Sequence, residues 1–312
     1  MFKSPWQRHK DLISIHDFTT DEVEALFQLA ANVKARPERY RNALAGQTLA
    51  MIFEKSSTRT RVSFEVGMYQ LGGIATFLSS RDIQIGRGEP ISDTAKVLSR
   101  YVSGIMARTF AHTTVTDLAK YATVPVINGL TDLLHPCQGL TDYFTVREKF
   151  GHTKGLTLAY VGDGNNMCHS LMFGGPKVGM NVKVATPEGF RPNPEIVEKA
   201  KADAKAAGTT IEVLARPEEA IRGANAVYTD VWASMGQEAE AQARVKAFAG
   251  FQVTPALMEL ADKEAIFMHC LPAHRGEEVA AEVADGRWSV IFDEAENRLH
   301  VQKAIMLLLM NR

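Results

Sequence analysis

Apolar residues along this chain fall into short continuous runs, each followed by a polar cluster and then by apolar positions at helical spacing. Residues 49–53 read as a buried strand, and Val62, Val66 and Tyr69, with Phe64, Met68 and Leu71, mark a helix close behind it. The alternation repeats as strand 75–78, helix 91–98, strand 104–107 ending at Arg108, helix 115–121, strand 124–127 and a polar segment at 135–138. A second series opens with strand 156–161 and continues with strands 182–185, 211–214, 226–228 and 265–268, with helices between. Near the start, residues 17–23 predict a capped helix with Thr20 as N-cap and acids in its first turn. Pro176, after Gly174 and Gly175, predicts that the helix following Asn166 is short or kinked. Residues 296–309, rich in Ile, Met and Leu, form a last helix expected to pack back on the first half.

Alternating strand and helix predicts an α/β protein of two domains, each a parallel β-sheet flanked by helices. The expected boundaries are 1–146, with 295–312 returning to it, and 147–294. A length of 312 residues suits about two domains. A net charge of −1 leaves no basic excess for a nucleic-acid partner. No apolar run approaches the roughly 20 residues that span a bilayer, and the first ten residues lack the apolar core of a signal peptide. Cys137, Cys168 and Cys270 are an odd number without paired spacing, which suggests neither a disulfide framework nor a metal motif. The expectation is a reduced, cytoplasmic protein.

Ligands of open α/β sheets bind beyond the carboxyl ends of the strands. In the first half that rule selects Ser57, Thr58, Arg59, Thr60 and Arg61, together with Arg108 and the segment from His135 to Gln138. Two arginines and four hydroxyl residues share positions 56–61, where a strand hands over to a helix. Unpaired N–H groups, the helix dipole, hydroxyls and guanidinium forks together suit an anion, phosphate above all. In the second half the rule selects Asn166, Asp230 and Cys270, an amide, a carboxylate and a thiol suited to an amine. The contrast suggests two different substrates in a cleft between two domains. Taken singly, each residue also has a plain structural use: Ser57, Asp230 or Ser234 as a helix cap, His135 or Cys270 as a core side chain. Gly162-x-Gly164 is half a dinucleotide fingerprint; Met167 stands at the third glycine position and no acid ends the next strand, so it reads as a tight turn.

Ser57-Thr58-Arg59-Thr60-Arg61 with His135-Pro136-Cys137-Gln138 resembles the paired signature of the aspartate/ornithine carbamoyltransferase family. Asp230-Val231-Trp232-Ala233-Ser234-Met235-Gly236 and His269-Cys270-Leu271-Pro272 resemble its ornithine branch. The resemblance runs from Asp11 to Arg298, with Ser56 standing where proline is frequent in the family. It implies a first domain that binds carbamoyl phosphate and a second that binds L-ornithine. Ser57, Thr58, Arg59 and Thr60 would hold the phosphate, Arg108 would bridge phosphate and carbonyl, and His135, Gln138 and Arg298 would lie at the carbamoyl group. Gln84 would be lent by a neighbouring subunit of a homotrimer or a multiple of trimers. Asn166, Asp230, Ser234 and Met235 would bind the α-groups of ornithine, with Cys270 and Leu271 beside its δ-amine. Arg108, His135 and Cys270 would be the catalytic set, with no metal and no organic cofactor. A carbamoyltransferase for acetylornithine or putrescine is the alternative, with a non-catalytic binding protein and a nicotinamide dehydrogenase as more distant ones.

Overall fold

The structure is a computed structural model and describes residues 5–233 and 241–311. The chain divides into two compact units, Met1–Leu140 with Glu296–Arg312, and Thr141–Ala295. Each is a wholly parallel sheet with helices, as the alternation of runs predicts.

Unit 1 holds β1 (Thr48–Phe53), β2 (Ile74–Ser79), β3 (Gly104–Arg108) and β4 (Val126–Leu130) in the order β2-β1-β3-β4. β1, β3 and β4 are buried almost throughout, as expected of parallel strands covered on both faces. Ile52, Ile105, Ala107 and Val126 meet Val115 and Leu118 in one core. β4 starts and ends later than its apolar pattern suggests. Pro125 has no N–H for the ladder, although its carbonyl accepts from Ile105, and the strand runs on to Leu130.

The helices of this unit are α1 (Thr20–Ala35), α2 (Thr58–Gln70), α3 (Ile91–Leu98), α4 (His112–Tyr121) and the start of α5 (Pro136–Phe150). The N-cap of α1 is Thr19 and not Thr20. Only from Thr19 does the spacing to Glu22 close a reciprocal capping box, with Thr19 N–H donating to Glu22 Oε2 at 2.8 Å.

Unit 2 holds β5 (Thr157–Val161), β6 (Asn181–Ala185), β7 (Ile211–Leu214), β8 (Ala226–Thr229) and β9 (Ile266–Met268) in the order β7-β6-β5-β8-β9. Its helices include α6 (Asn166–Lys177), α7 (Pro194–Ala207), α8 (Pro217–Ile221), α9 (Ala241–Ala247), α10 (Pro255–Met258) and α11 (Ala281–Ala284). α6 is not cut short at its glycines; it stops one residue past Pro176. Gly174 is there for space: a Cβ would stand 2.4 Å from the Tyr143 ring, whose hydroxyl donates to Leu171 O at 2.6 Å.

α12 (Ile291–Met310) starts in unit 2 and from Glu296 onward belongs to unit 1, where the apolar tail was expected to dock. It lies close against α2, with Gly67 facing Lys303 and Met306, and Lys303 Nζ donates to Gln70 Oε1 at 2.9 Å. No described helix is long and apolar enough to cross a membrane.

In each sheet the chain reverses its direction of winding at one place, between β1 and β3 in unit 1 and between β5 and β8 in unit 2. These topological switch points are where open α/β sheets leave a crevice for ligands.

Candidate active site

At the switch point of unit 1, β1 leads through residues 54–57 into the N-terminus of α2. Glu54 N–H donates to Arg108 O at 2.9 Å, which ties the ends of β1 and β3 together. Ser57 caps α2: its Oγ accepts Thr60 N–H at 3.2 Å and donates to Thr60 Oγ at 3.0 Å. Thr58 and Arg59 are the first two helical residues, and no acid stands in the first turn. The dipole of a helix of this length therefore adds positive potential at this point without local opposition.

Two guanidinium groups converge on the buried Thr60. Arg298, from α12, donates to its Oγ at 2.6 Å, and Arg108, at the end of β3, donates at 3.4 Å. Arg298 Nη2 also lies 3.5 Å from His135 Nε2, just ahead of α5. Burial, followed by the charges of Arg298 and Arg108, holds His135 well below the usual imidazole range, so it is neutral at pH 7. A guanidinium can only donate, which makes Nε2 the acceptor and assigns the ring proton to Nδ1. Gln138, buried, sits in the first turn of α5. The structure thus brings together Ser57, Thr60, Arg108, His135 and Arg298. Gln84 is exposed on a 3-10 turn after β2 and makes no hydrogen bond with the described residues of this cluster.

At the switch point of unit 2, β5 enters a glycine turn before α6. Gly164 is required by proximity, because a Cβ there would stand 2.2 Å from the backbone nitrogen of Pro192. The space beside this turn is filled by protein, consistent with a tight turn and not a dinucleotide loop.

Asn165 caps α6, its Oδ1 accepting from the N–H groups of Met167 and Cys168 at 2.9 and 3.2 Å. That orientation turns Nδ2 outward to donate to Asp230 Oδ2 at 2.9 Å. Asp230 Oδ1 accepts from Val231 N–H at 2.8 Å and from the Cys270 thiol at 3.1 Å. Burial and then the Asp230 charge raise the Cys270 thiol well above its ordinary range, so it is a thiol and not a thiolate. Leu271 follows at φ +60°, and its N–H donates to His269 Nδ1 at 2.8 Å. Asp230 and Cys270 are therefore in direct contact, while Ser234 and Met235 lie outside the described residues.

Asn166 is the first residue of α6; the side chain that reaches Asp230 is that of its neighbour Asn165. Asparagine is a favoured N-cap, so residues 165 and 166 were both candidates, and the structure gives the cap to Asn165. Arg244 was invisible to the sequence reading: it donates to Asp163 at 2.7 Å and to Trp232 O at 2.8 Å, across 81 and 12 residues of chain. Among the described residues two groups, Asp230 with His269 and Cys270, and His274 with Glu277 and Glu278, have donor atoms close enough for a metal. In the first, both His269 nitrogens are already engaged, Nδ1 by Leu271 and Nε2 with Glu278 Oε1 at 3.2 Å.

The comparison with known proteins agrees along the whole chain. Residues 10–148 match the carbamoyl-P binding domain of aspartate/ornithine carbamoyltransferases, and residues 154–309 match their Asp/Orn binding domain. The ornithine carbamoyltransferase of Symbiobacterium thermophilum is 60% identical over 96% of this chain and 98% of its own. The anabolic ornithine carbamoyltransferase of Pyrococcus furiosus is 54% identical over 96% of both chains. The solved structure of ornithine carbamoyltransferase from that organism superposes with a TM-score of 0.93 at 53% identity, covering 96% of this chain and 97% of that one. With both halves matched in order and nearly the full length covered, the chain belongs to the aspartate/ornithine carbamoyltransferase family.

Proposed function

We propose that this protein transfers the carbamoyl group of carbamoyl phosphate to the δ-amine of L-ornithine, giving L-citrulline and phosphate. The observation that carries the proposal is a chemical contrast: two guanidiniums on a hydroxyl at a helix N-terminus in unit 1, and a carboxylate on a protonated thiol in unit 2. The first suits a phosphorylated acyl donor and the second an amine. Relatives at 54–60% identity carry the name ornithine carbamoyltransferase, and the anabolic label of one favours the direction of arginine synthesis.

In this reading the phosphate sits on Ser57, Thr58, Arg59, Thr60 and the first N–H groups of α2. Arg108 spans phosphate and carbonyl oxygen, with Arg298, His135 and Gln138 at the carbamoyl group. A neutral imidazole offers one donor and one acceptor, which matches a carbamoyl group that has both. Gln84, exposed here, is assigned to the site of a neighbouring subunit in a homotrimer. Asn166, Asp230, Ser234 and Met235 hold the α-groups of ornithine; Cys270 and Leu271 lie at its δ-amine, which Asp230 and Cys270 orient.

The amine must attack as the neutral form. With a pKa of about 10.4, roughly 0.1% of a free alkylamine is neutral at pH 7.4, a penalty of about 4 kcal/mol. Desolvation and the cationic cluster lower that pKa. As the C–N bond forms, Arg108 and its neighbours stabilise the oxyanion, as an oxyanion hole does. The C–O bond to phosphate then breaks, the leaving charge remains on Arg59 and the helix N–H groups, and the phosphate takes the amine proton. Cys270, held as a thiol, orients and does not attack.

The test is to incubate the protein with carbamoyl phosphate and, separately, ornithine, acetylornithine, putrescine and aspartate, and to assay the ureido product. Citrulline from ornithine alone is expected. Product from another amine would retain the donor site and overturn the roles given to Asp230 and Ser234.

A further inference from the structure

Glu294, on α12 just before the chain passes to unit 1, is fully buried within unit 2. Its Oε2 accepts His269 N–H at 3.0 Å, its Oε1 meets the Tyr228 hydroxyl at 3.3 Å, and its carboxyl is hydrogen-bonded to that of Asp142 on α5. Asp142 is as deeply buried. Two carboxyls in hydrogen-bond contact need a proton between them, because both cannot ionise at that separation.

The pair bears directly on Cys270. His269 is pinned at three points: its backbone N–H on Glu294, its Nε2 on Glu278, and its Nδ1 under Leu271 N–H. Leu271 holds a left-handed φ of +60° that a leucine rarely adopts, so the turn depends on those contacts. Cys270 lies between the two pinned residues with its thiol on Asp230.

We propose that Glu294, hydrogen-bonded to Asp142, is a positioning residue for the amine half-site: it fixes the His269 peptide and so the Cys270 thiol. The assignment rests on the carbamoyl-transfer reading for what the half-site binds, though not for its geometry. The groups facing the pair are Tyr143 beside Asp142 on α5, Tyr228 from β8, and His269 and Cys270 after β9, with Asp230 beyond the thiol. Burial raises the Glu294 carboxyl to about 7, and the charges of Asp230, Glu294 and Asp142 all act to raise the Cys270 thiol. As that carboxyl ionises, its charge disfavours the thiolate further and favours an ammonium over the amine that must attack.

Three proteins decide the matter: the unaltered chain, Glu294→Gln and Glu294→Ala. Glutamine keeps an acceptor for His269 N–H and a donor toward Asp142 but cannot ionise; alanine loses both contacts. The first readout needs no substrate: the rate at which iodoacetamide alkylates Cys270 from pH 6 to 10, resolved from the buried Cys137 and Cys168 by peptide mass spectrometry. Glu294→Gln is expected to shift that curve by about one pH unit toward acid, from loss of one nearby buried charge. The second is steady-state kinetics, in which Glu294→Ala raises the ornithine KM roughly tenfold or more with carbamoyl phosphate affinity unchanged, and Glu294→Gln restores it.

A Glu294→Gln curve superimposed on that of the unaltered chain, or an unchanged ornithine KM in Glu294→Ala, would overturn the proposal. Should the alanine variant not fold, the glutamine curve decides alone. Failure of the unaltered chain to make citrulline would remove the transfer reading and leave the alkylation result standing.

Discussion

Asp230 collects three donors on two oxygens: Val231 N–H, the Cys270 thiol and Asn165 Nδ2. An amide in its place can accept at one atom only, so Asp230→Asn must break one of these contacts. The expected result is a rise in ornithine KM of about 10- to 100-fold, in line with one to a few kcal/mol for a charged hydrogen bond. Carbamoyl phosphate affinity, which the proposed function assigns to unit 1, should stay within about twofold, since sites without shared partners act additively. A calorimetric titration with carbamoyl phosphate, set beside initial rates against ornithine, checks both halves. His135 illustrates the same scale in unit 1, where Arg298 and Arg108 add to burial in keeping the ring neutral. The cationic character there comes from the guanidiniums and the α2 N-terminus, not from the ring.

At the scale of elements, α1 shows how one cap joins local and distant structure. Glu22 closes the capping box with Thr19 and also accepts from Arg8 Nε at 2.6 Å and Nη2 at 2.7 Å. Although burial acts the other way, the bonds from Arg8, Thr19 and His9 together lower its carboxyl to about 2. A carboxyl held below its ordinary value of 4.5 contributes its full stabilisation above that pH and loses it as pH falls toward about 2. Glu22→Ala should therefore cost about 1 kcal/mol near neutrality, a typical cap value, and nearly nothing at pH 2. Denaturant melts at the two pH values measure the difference. Glu294 has the opposite sign: its carboxyl, raised to about 7, makes the folded state prefer the proton. Stability should decline as pH rises from 4.5 through 7, and Glu294→Gln should flatten that decline. In α6, Gly174→Ala would drive a methyl into the Tyr143 ring and should cost about 1–3 kcal/mol, as overpacked cores do.

At the scale of the whole molecule, Arg298 lies on the segment that returns to unit 1 from the far end of the sequence, 238 positions from Thr60. On the proposed assignment, a donor site completed this way links ligand binding to the docking of α12. Carbamoyl phosphate at a hundred times its Kd should stabilise the chain by about 2.7 kcal/mol, and Arg298→Ala should remove most of that gain at the same concentration. A thermal melt with and without carbamoyl phosphate reads it directly; an undiminished gain would separate Arg298 from the donor site. Much at this scale was legible in advance, since wholly parallel sheets bury continuous apolar runs that stand out in a linear reading. The strand-end rule then led to the Ser57 cluster, Arg108, Asp230 and Cys270, because chain order and strand ends are properties of sequence. Boundaries set by a single proton donor or cap were not so legible: β4 waits for Val126 past Pro125, and α1 is capped by Thr19. Asp142 and Glu294 remained hidden for a further reason. Glu294 meets His269 across 25 residues of chain and Asp142 across 152, and a lone buried acid in an amphipathic helix looks like any solvated one. By itself the sequence determined the fold class, the order of elements and the kinds of chemical group at the strand ends, because periodicity and local chemistry are carried residue by residue. Only the tertiary structure decided which of those groups touch and in which protonation state, because contact and desolvation depend on what the rest of the chain brings alongside.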